Sequence, residues 1–277
     1  MDDSEWVTFL EAALPRLGMR WAGFRKVRGL VCKRLRRRVS ELGLPSADAY
    51  HAYLERHPEE WAVLDSLAHV TISRFNRDRG VFALVENEVL PVLAGEAMTH
   101  GAGTVEAWSA GCASGEEAYT LAIIWHVALA HRFPGLALRI LATDVDEAML
   151  ARARRGCYGA GSLREVPEPW RAAAFVRQDR WYCVREEIRA AVRIVRHDIR
   201  DRPPAGTFDL VMCRNLAFTY FDDAGQLSVA SRLGAALRPG GALAVGNHEA
   251  LPAGVGQFEP WSSTARVYRR VGGRSPS

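Results

Sequence analysis

The stretch V-E-A-W-S-A-G-C-A-S-G-E-E-A-Y-T-L, from Val105 to Leu121, decides the fold. Its first part is apolar, as is typical of a buried strand, and its last part has apolar residues at helical spacing. Gly111 and Gly115 lie between the two parts, where glycine lets the backbone turn and approach a bound molecule. The pattern predicts a strand, a glycine turn and a helix, with a ligand site at the turn.

The ligand expected at this turn is not a phosphate. The turn lacks the Gly-Lys-Ser/Thr of a P-loop and the third glycine of a dinucleotide-binding fingerprint. Glu116 and Glu117 open the following helix, where carboxylates suit its positive end. These acids favour a cationic or hydroxyl-rich ligand. A turn with a purely structural role has the same pattern, so the turn alone does not decide between the two interpretations.

A second apolar run, from Leu138 to Thr143, ends at Asp144. In a doubly wound sheet, the acid at the end of the second strand binds ribose hydroxyls, roughly 20–30 residues after the glycine turn. Asp144 fits this spacing loosely. The alternative is that Asp144 caps the helix that begins near Glu147.

Composition indicates a globular chain of one large domain or two modest ones. The chain has 277 residues, of which 48% are hydrophobic and 25% are charged. No apolar run approaches the roughly 20 residues of a membrane span, and the acidic N-terminus is unlike a signal peptide, so we expect a cytoplasmic protein without direct membrane insertion. The five cysteines are scattered without a C-x-x-C pair, and the eight histidines show no ligand spacing. We therefore expect neither a disulfide framework nor a bound metal.

Much of the positive charge lies between Arg20 and Arg38. Nine basic residues occur there without an intervening acid, and apolar residues at helical spacing predict an amphipathic helix with a basic face. Such a face attracts nucleic acid, anionic lipid or an acidic protein, although a solvated face without a partner has the same pattern. Aromatic residues that stack on bases are sparse, so we expect no nucleic acid partner.

The order of the predicted elements divides the chain. The N-terminal part is helical in pattern, and strands alternate with helices from about residue 104. Phe208 to Cys213 predicts a buried central strand, Pro239 to Gly241 a turn, and Ala265 to Tyr268 a last strand. We predict a helical domain, a connecting helix and an α/β domain at 1–77, 78–95 and 96–277, respectively.

Four motifs together resemble one family. They are W-S-A-G-C-A-S-G-E-E-A-Y-T-L-A-I, L-A-T-D-V-D, C-R-N-L-A-F-T-Y-F-D and L-R-P-G-G-A-L-A-V-G. The chain is similar, over nearly its whole length, to the chemotaxis receptor methyltransferases called CheR, which are S-adenosylmethionine-dependent protein-glutamate O-methyltransferases. The segments V-C-K-R-L-R-R-R-V-S-E-L-G-L and T-I-S-R-F-N-R-D resemble that family's helical N-terminal domain and its connection to the catalytic domain.

The resemblance implies an α/β fold with a class I, Rossmann-like methyltransferase sheet. A small β-subdomain would be inserted at about 158–195, and an all-α domain would precede the sheet. The cofactor would be S-adenosylmethionine and the product S-adenosylhomocysteine. The implied substrate is a glutamate carboxylate of a chemoreceptor cytoplasmic domain, or of a similar acidic helical protein.

The resemblance also assigns roles to residues. Arg77 and Tyr220 would be catalytic, and the cofactor would contact Thr71, Ser73, Arg77, Ala110, Gly111, Glu117, Asp144, Asp198, Ile199, Arg214 and Asn215. Several of these have simpler alternatives, because Thr and Ser cap helices and Asp and Asn are common in turns.

The basic helix has a predicted docking role. Arg34, Arg37 and Arg38 are three to four residues apart, so they share one helix face and can reach carboxylates on a partner helix. We expect this face to recognise the acidic surface of the substrate protein.

Three positions depart from the family's usual pattern. Asn76 replaces an aromatic residue, and Ala118 replaces a proline. Tyr220 follows Asn215 by five residues instead of four, with Thr219 at the usual position, so a bulge or altered turn is expected. These departures leave open a methyltransferase for a small-molecule carboxylate, or a non-catalytic sensor that binds the cofactor.

The expected chemistry needs no general base. A glutamate carboxylate, with a reference pKa of about 4.3, is already ionised at neutral pH, and a sulfonium methyl group is already electrophilic. Catalysis is then mostly alignment and the exclusion of water. We expect the planar guanidinium of Arg77 and the hydroxyl of Tyr220 to hold the substrate carboxylate.

Overall fold

A computed structural model describes residues 3–262 and 266–272 of the protein. The chain forms two compact units. The first contains the residues up to Thr71 together with Thr219–Gln226, and the second contains Ile72–Phe218 together with the residues from Leu227 onward.

The first unit is built of helices. Val31, Leu35 and Val39 form the buried stripe of its long basic helix, at the spacing that the sequence predicts. Ser46 starts the next helix by accepting a hydrogen bond from the N–H of Ala49 at 3.1 Å. The helices are α1 Asp3–Ala13, α2 Trp21–Phe24, α3 Arg28–Glu41, α4 Ala47–Arg56 and α5 Glu60–Ala68.

The segment Thr219–Gln226 joins this unit through its backbone. Met19 and Phe221 form an isolated antiparallel β-bridge. The N–H of Arg20 donates to the carbonyl of Tyr220 at 2.8 Å. The position of Tyr220 is therefore set by the turn between α1 and α2.

Side-chain packing fixes the same segment. The rings of Phe24 and Tyr220 lie 4.9 Å apart between centroids. Gly23 allows the approach, since a Cβ at this position would overlap the carbonyl oxygen of Thr219 and would lie 3.1 Å from the ring of Tyr220.

From residue 72 onward, helices alternate with strands. A π-helical segment, Val85–Val89, joins the helices Arg79–Leu84 and Leu90–Thr99. The helix predicted at 78–95 is therefore observed in three parts. In chain order the elements are α6 Arg79–Leu84, α7 Leu90–Thr99, β1 Thr104–Ala110, α8 Glu116–Ile124, β2 Ala137–Asp144, α9 Glu147–Arg155, β3 Cys157–Gly159, α10 Glu168–Ala174, β4 Phe175–Gln178, β5 Trp181–Val184, α11 Glu186–Arg189, β6 Val192–Arg196, β7 Phe208–Met212, α12 Ala217–Tyr220, α13 Asp223–Ala236, β8 Leu237–Ala244, β9 Phe258–Pro260 and β10 Val267–Arg270.

Seven strands form one sheet, in the order β6-β2-β1-β7-β8-β10-β9. The first five of these pair in parallel, and β10 is antiparallel to both of its neighbours. Strand order runs outward from β1 to β2 and β6 on one side and from β7 to β8 on the other, so the topological switch point lies between β1 and β7. Ligands of doubly wound sheets bind at the carboxyl ends of the strands beside such a switch point. The doubly wound, Rossmann-like sheet predicted from the sequence is confirmed.

The central strand β1 shows why the sequence pattern is readable. Val105, Ala107 and Trp108 are at most 1% exposed, because both faces of the parallel sheet are covered. The indole N–H of Trp108 donates to Oγ1 of Thr143 at 2.9 Å, so the one polar atom of this large side chain is paired inside the core.

A second, antiparallel sheet has the order β3-β5-β4. Tyr158, Phe175 and Val184 form its buried face. The range predicted for an inserted β-subdomain, about 158–195, contains most of this small sheet and also β6, which pairs with β2 in the larger sheet.

The small sheet contains a disulfide. Cys157 on β3 lies opposite Cys183 on β5, and the two are bonded. The expectation that the cysteines form no disulfide was wrong, because the pairing arises from the antiparallel register and not from the spacing of the cysteines along the chain.

The last part of the sheet modifies two predictions. The predicted turn at Pro239–Gly241 lies inside β8, where the pairing with β7 is irregular. The last strand is Val267–Arg270, and Ala265, where it was predicted to begin, lies outside the described residues. None of the described helices is long and apolar enough to cross a membrane.

Candidate cofactor and active site

The turn after β1 is tied to the end of β2. The N–H groups of Gly111 and Cys112 both donate to the carbonyl of Thr143 at 2.8 Å. Gly111 has a φ of +82°, and a Cβ at this position would overlap Cδ2 of Leu216. The sequence interpretation attributed this glycine to a bound ligand, and the structure adds a neighbouring side chain as a second reason.

Asp144 ends β2 with its carboxylate facing backbone donors. Oδ2 accepts from the N–H of Ala113 at 2.8 Å, and Oδ1 accepts from the N–H of Asp146 at 2.9 Å. Helix α9 is instead capped by Asp146, which accepts from two N–H groups of its first turn. The capping alternative for Asp144 was therefore wrong. A carboxylate only accepts hydrogen bonds, and this chemistry suits ribose hydroxyls.

Glu117 is a largely buried carboxylate beside this turn, with 13% of its side chain exposed. Oε1 accepts from the hydroxyl of Ser109 at 2.8 Å, and Oε2 accepts from Nη1 of Arg214 at 3.1 Å. Burial raises the pKa of Glu117, and these two partners only partly offset that effect. A nearby cation would therefore stabilise the ionised form of Glu117.

Arg214 connects the end of β7 to the start of α6. Its side chain is 2% exposed, and Nη2 donates to Oδ2 of Asp78 at 3.0 Å and to the carbonyl of Arg77. The guanidinium carbon lies 4.6 Å from the ring centroid of Phe82. Burial would raise the pKa of Asp78, but the surrounding groups, with Arg214 the largest, lower it below its ordinary value.

Asn215 has a left-handed backbone with a φ of 55°. Its side-chain amide donates to Asp78 at 3.2 Å, and its own N–H donates to Glu249 at 2.6 Å. Asp78, Arg214 and Asn215 thus form one hydrogen-bonded group at the carboxyl end of β7.

The segment before α6 holds Arg77 between two left-handed residues. Asn76 has a φ of 54° and Asp78 has a φ of 61°. Among the described residues, the guanidinium of Arg77 makes one hydrogen bond, from Nη1 to the carbonyl of Ile72 at 2.7 Å.

The departure at Asn76 has a structural reason. Asparagine adopts the left-handed region more readily than an aromatic residue does. Its N–H donates to the hydroxyl of Thr120 at 3.1 Å, and its side-chain amide donates to the carbonyl of Glu165 at 3.1 Å. Asn76 therefore fixes the backbone that carries Arg77.

The predicted adenine-flanking residues follow β6. The N–H of His197 donates to the carbonyl of Asp144 at 3.0 Å, which places this loop beside the end of β2. The carboxylate of Asp198 accepts from the guanidinium and the N–H of Arg200, as the alternative turn role requires, and Ile199 is 8% exposed. The cofactor contacts of these two residues stay a prediction.

The remaining predicted positions are divided between the units. Ser73 and the fully buried Ala110 belong to the second unit, whereas Thr71 and Tyr220 belong to the first. The catalytic role of Tyr220 stays a prediction.

The predicted docking residues differ in their surroundings. Arg34 donates to the carbonyls of Leu67 and His69, and Arg38 binds the carboxylate of Glu60. Arg37 is 71% exposed. Two of the three arginines therefore also have a structural role inside the first unit.

Three polar members of the site were not predicted from the sequence. Ser109, Asp78 and Glu249 bind Glu117, Arg214 and the backbone of Asn215, respectively. Asp78 directly follows Arg77 and ends the motif T-I-S-R-F-N-R-D, so this motif was a signal that could have identified it. No sequence motif pointed to Glu249, because the backbone N–H groups of Asn215 and Leu216 that it binds are distant in the sequence.

The residues present fit S-adenosylmethionine. Its ribose hydroxyls match the acceptor Asp144, and its sulfonium and ammonium charges match the partly buried carboxylates of Glu117 and Asp78. Nε of Arg214 is buried without an acceptor among the described residues, and a ligand carboxylate has the chemistry to supply one. Nowhere in the described part of the chain do three or more His, Cys, Asp or Glu side chains form a group suited to a metal ion.

Comparison with known proteins identifies the family. The SAM-binding domain of the CheR methyltransferases matches residues 71–267, and the all-alpha domain of the same family matches residues 26–65. A chemotaxis protein methyltransferase of Listeria innocua is 35% identical over 66% of this chain and 67% of its own length. Chemotaxis protein methyltransferase 2 of Pseudomonas aeruginosa is 31% identical over 79% of this chain and 78% of its own length.

A longer relative shares the same region. An uncharacterized 104.1 kDa protein of Rhodobacter capsulatus is 32% identical over 88% of this chain, which spans 25% of that protein. The two family matches together cover most of the chain. The chain belongs to the CheR methyltransferase family, whose cofactor is S-adenosylmethionine.

Proposed function

We propose that this protein transfers a methyl group from S-adenosylmethionine to glutamate side-chain carboxylates of a chemoreceptor cytoplasmic domain, in the cytoplasm. The product is a glutamate methyl ester. The names of the Listeria and Pseudomonas relatives support chemotaxis as the setting. The family match supports methyl transfer as the reaction.

The placement of Arg77 carries the proposal. Its carbonyl accepts a hydrogen bond from Arg214, whose other amino group contacts the largely buried carboxylate of Glu117. The left-handed residues Asn76 and Asp78 fix its backbone on both sides. A planar guanidinium binds a carboxylate through two parallel hydrogen bonds, so an arginine held beside the cofactor pocket suits a carboxylate substrate.

The side chains of the site position and shield the reactants. The bound cofactor supplies an electrophilic methyl group on a sulfonium. Asp144 holds the ribose, the ionised form of Glu117 provides negative charge in a desolvated place, and Arg77 orients the incoming carboxylate. Tyr220 is proposed to donate its hydroxyl to the same carboxylate. No residue has to remove a proton, because the substrate is already ionised at neutral pH.

Transfer of tritium from labelled cofactor tests the function. The purified protein is incubated with a receptor cytoplasmic fragment, and the labelled product is treated with mild base, which hydrolyses methyl esters. Volatile label released from the fragment supports the proposal. A receptor fragment whose candidate glutamates are changed to alanine serves as the matched control and should remain unlabelled.

Other outcomes point to other functions. Label found only in small acids would assign a small-molecule carboxylate as the substrate. Cofactor binding without transfer to any acceptor would assign a sensor module instead. Both outcomes would overturn receptor methylation.

A further inference from the structure

We propose that Glu249 is a positioning residue, whose carboxylate fixes the backbone turn that carries Arg214 and Asn215 into the cofactor pocket. Glu249 follows β8 in the short sequence V-G-N-H-E and is 3% exposed. The inference rests on the cofactor-binding roles proposed for Arg214 and Asn215 and does not depend on the identity of the methyl acceptor.

The carboxylate accepts three backbone hydrogen bonds. Oε2 accepts from the N–H of Asn215 at 2.6 Å and from the N–H of Gly246 at 2.7 Å. Oε1 accepts from the N–H of Leu216 at 3.1 Å. Bonds to an ionised acceptor are shorter and stronger than bonds between neutral groups, so one side chain joins the ends of β7 and β8.

The turn after β7 needs such an acceptor. Asn215 has a φ of 55°, and a left-handed residue directs consecutive N–H groups toward one point, which forms an anion-binding concavity. Glu249 occupies this concavity. The concavity is therefore filled by the protein's own carboxylate, and Asn215 is held in a backbone conformation that few residues adopt.

The side chains on this turn show what its position controls. The amide of Asn215 donates to Asp78, and Leu216 lies where a Cβ on Gly111 would be. Arg214, the preceding residue, contacts Glu117. A displacement of the turn would move groups at three places around the proposed cofactor site.

The fit around Glu249 leaves little space. A Cβ at Gly246 would lie 2.7 Å from Oε2 of Glu249 and 3.0 Å from Oδ1 of Asn215. A carboxylate is also specific here, because it only accepts hydrogen bonds. In Glu249→Gln, the side-chain amino group would replace one acceptor and face a backbone donor.

Binding of S-adenosylhomocysteine to Glu249→Gln tests the inference by calorimetry. One lost bond and one unsatisfied buried N–H predict that the dissociation constant rises about tenfold to a hundredfold. The control is Glu259→Gln, because Glu259 is an exposed acid on β9, and its dissociation constant should equal that of the wild type. An unchanged constant for Glu249→Gln overturns the inference.

Hydrogen exchange tests the hold on the turn directly. The amides of Asn215 and Leu216 should exchange at least about tenfold faster in Glu249→Gln, while amides of β1 keep their rates. If the amides of the turn and the amides of β1 all exchanged faster by the same factor, the variant would have lost stability in general, and a local positioning role would be overturned. This measurement does not need the cofactor, so failure of the wild type to bind S-adenosylhomocysteine would count against the proposed pocket alone.

A double-mutant cycle identifies the path of the effect. If Glu249 acts through the turn, the effects of Glu249→Gln and Asn215→Ala on cofactor affinity should be non-additive. The dissociation constant of the double variant should then be close to that of the single variant that binds the cofactor more weakly. Additive effects would overturn the inference. If Glu249→Gln does not fold, Gly246→Ala keeps the charge but crowds the same carboxylate, and it should weaken affinity in the same direction.

Discussion

Arg38 binds both carboxylate oxygens of Glu60, from Nε at 2.9 Å and from Nη2 at 2.7 Å. Tyr50 donates its hydroxyl to the same carboxylate at 3.0 Å. The hydrogen bond from Arg38 lowers the pKa of Glu60, and Tyr50 adds to that effect against the opposing influence of burial. This group joins α3, α4 and α5 within the helical unit.

The helical unit should lose stability in acid. The folded pKa of Glu60 lies below its ordinary value of about 4.5, so the stabilisation is fully present above that value and is lost as the pH falls through the folded pKa. We expect α5 amides to exchange faster in Glu60→Gln than in the wild type at about pH 6, and this difference to be smaller at about pH 3. A difference of the same size at both pH values would contradict the assignment.

Charge reversal on the exposed side of α3 should weaken association with a protein substrate. Lys33 and Arg37 are exposed and one turn apart. Because exposed pairs are worth about 0–1 kcal/mol each, Lys33→Glu with Arg37→Glu should raise the KM for a receptor fragment a few-fold at low salt and less at high salt. An unchanged KM would show that this face is only solvated.

The control for that experiment is Arg38→Met. Removing Arg38 leaves the buried carboxylate of Glu60 without its ion pair, so we expect a loss of about 2–4 kcal/mol of unfolding free energy. Denaturant unfolding separates this loss of stability from a loss of docking. DNA and liposome binding should be absent for the wild type at physiological salt.

Gly23→Ala should displace the segment that carries Tyr220. The new Cβ would overlap the carbonyl oxygen of Thr219, so we expect a loss of about 1–3 kcal/mol of unfolding free energy and a fall in kcat. Gly29 is the matched control, because nothing lies within 4 Å of the corresponding Cβ. Gly29→Ala should gain about 0.5–1 kcal/mol and keep its kcat. A normal kcat in Gly23→Ala would separate this segment from catalysis.

Asp144→Ala should weaken cofactor binding. Loss of two hydrogen bonds to ribose hydroxyls, at roughly 1 kcal/mol each, predicts a tenfold to thirtyfold rise in the dissociation constant by calorimetry. Asp146→Ala is the control, since it removes the cap of α9 and should lower stability by about 1 kcal/mol without changing affinity. Equal affinity in a folded Asp144→Ala variant would leave Asp144 with only its backbone role.

Changes at Arg77 and Tyr220 should affect turnover more than binding. Misplacement of a reactant by about 1 Å can reduce the rate a hundredfold, so Arg77→Ala should lower kcat far more than it raises KM. Arg77→Lys should also be poor, because an ammonium lacks the planar fork. The exposed neighbour Arg79 supplies the control, Arg79→Ala. Full activity in Tyr220→Phe would make Thr219 the next candidate.

Local signals were enough to predict the centre of the fold. The break from apolar strand to glycine turn to helix appears as β1 and α8, and Asp144 closes β2 as expected. These features depend on neighbouring residues, whose spacing and conformational preferences are visible in the sequence.

Features set by distant contacts were not predictable. The role of Glu249 depends on two amides more than thirty residues away, and the bond between Cys157 and Cys183 depends on the register of two strands. Membership of β6 in the larger sheet likewise depends on parallel pairing with β2, which leaves no local pattern. The sequence identified the departure at Asn76, but only its backbone angle explains it.

The segment Thr219–Gln226 lies inside the stretch that matches the SAM-binding domain, yet it packs in the same unit as the α1–α2 turn. The two family domains are therefore not interchangeable parts. A chimera that takes its helical domain from a relative would place an unmatched turn against Tyr220 and Phe221. Exchanges between relatives should succeed only when residues 18–24 and 219–226 are transferred together, and substitutions in these two segments should covary as the family diverges.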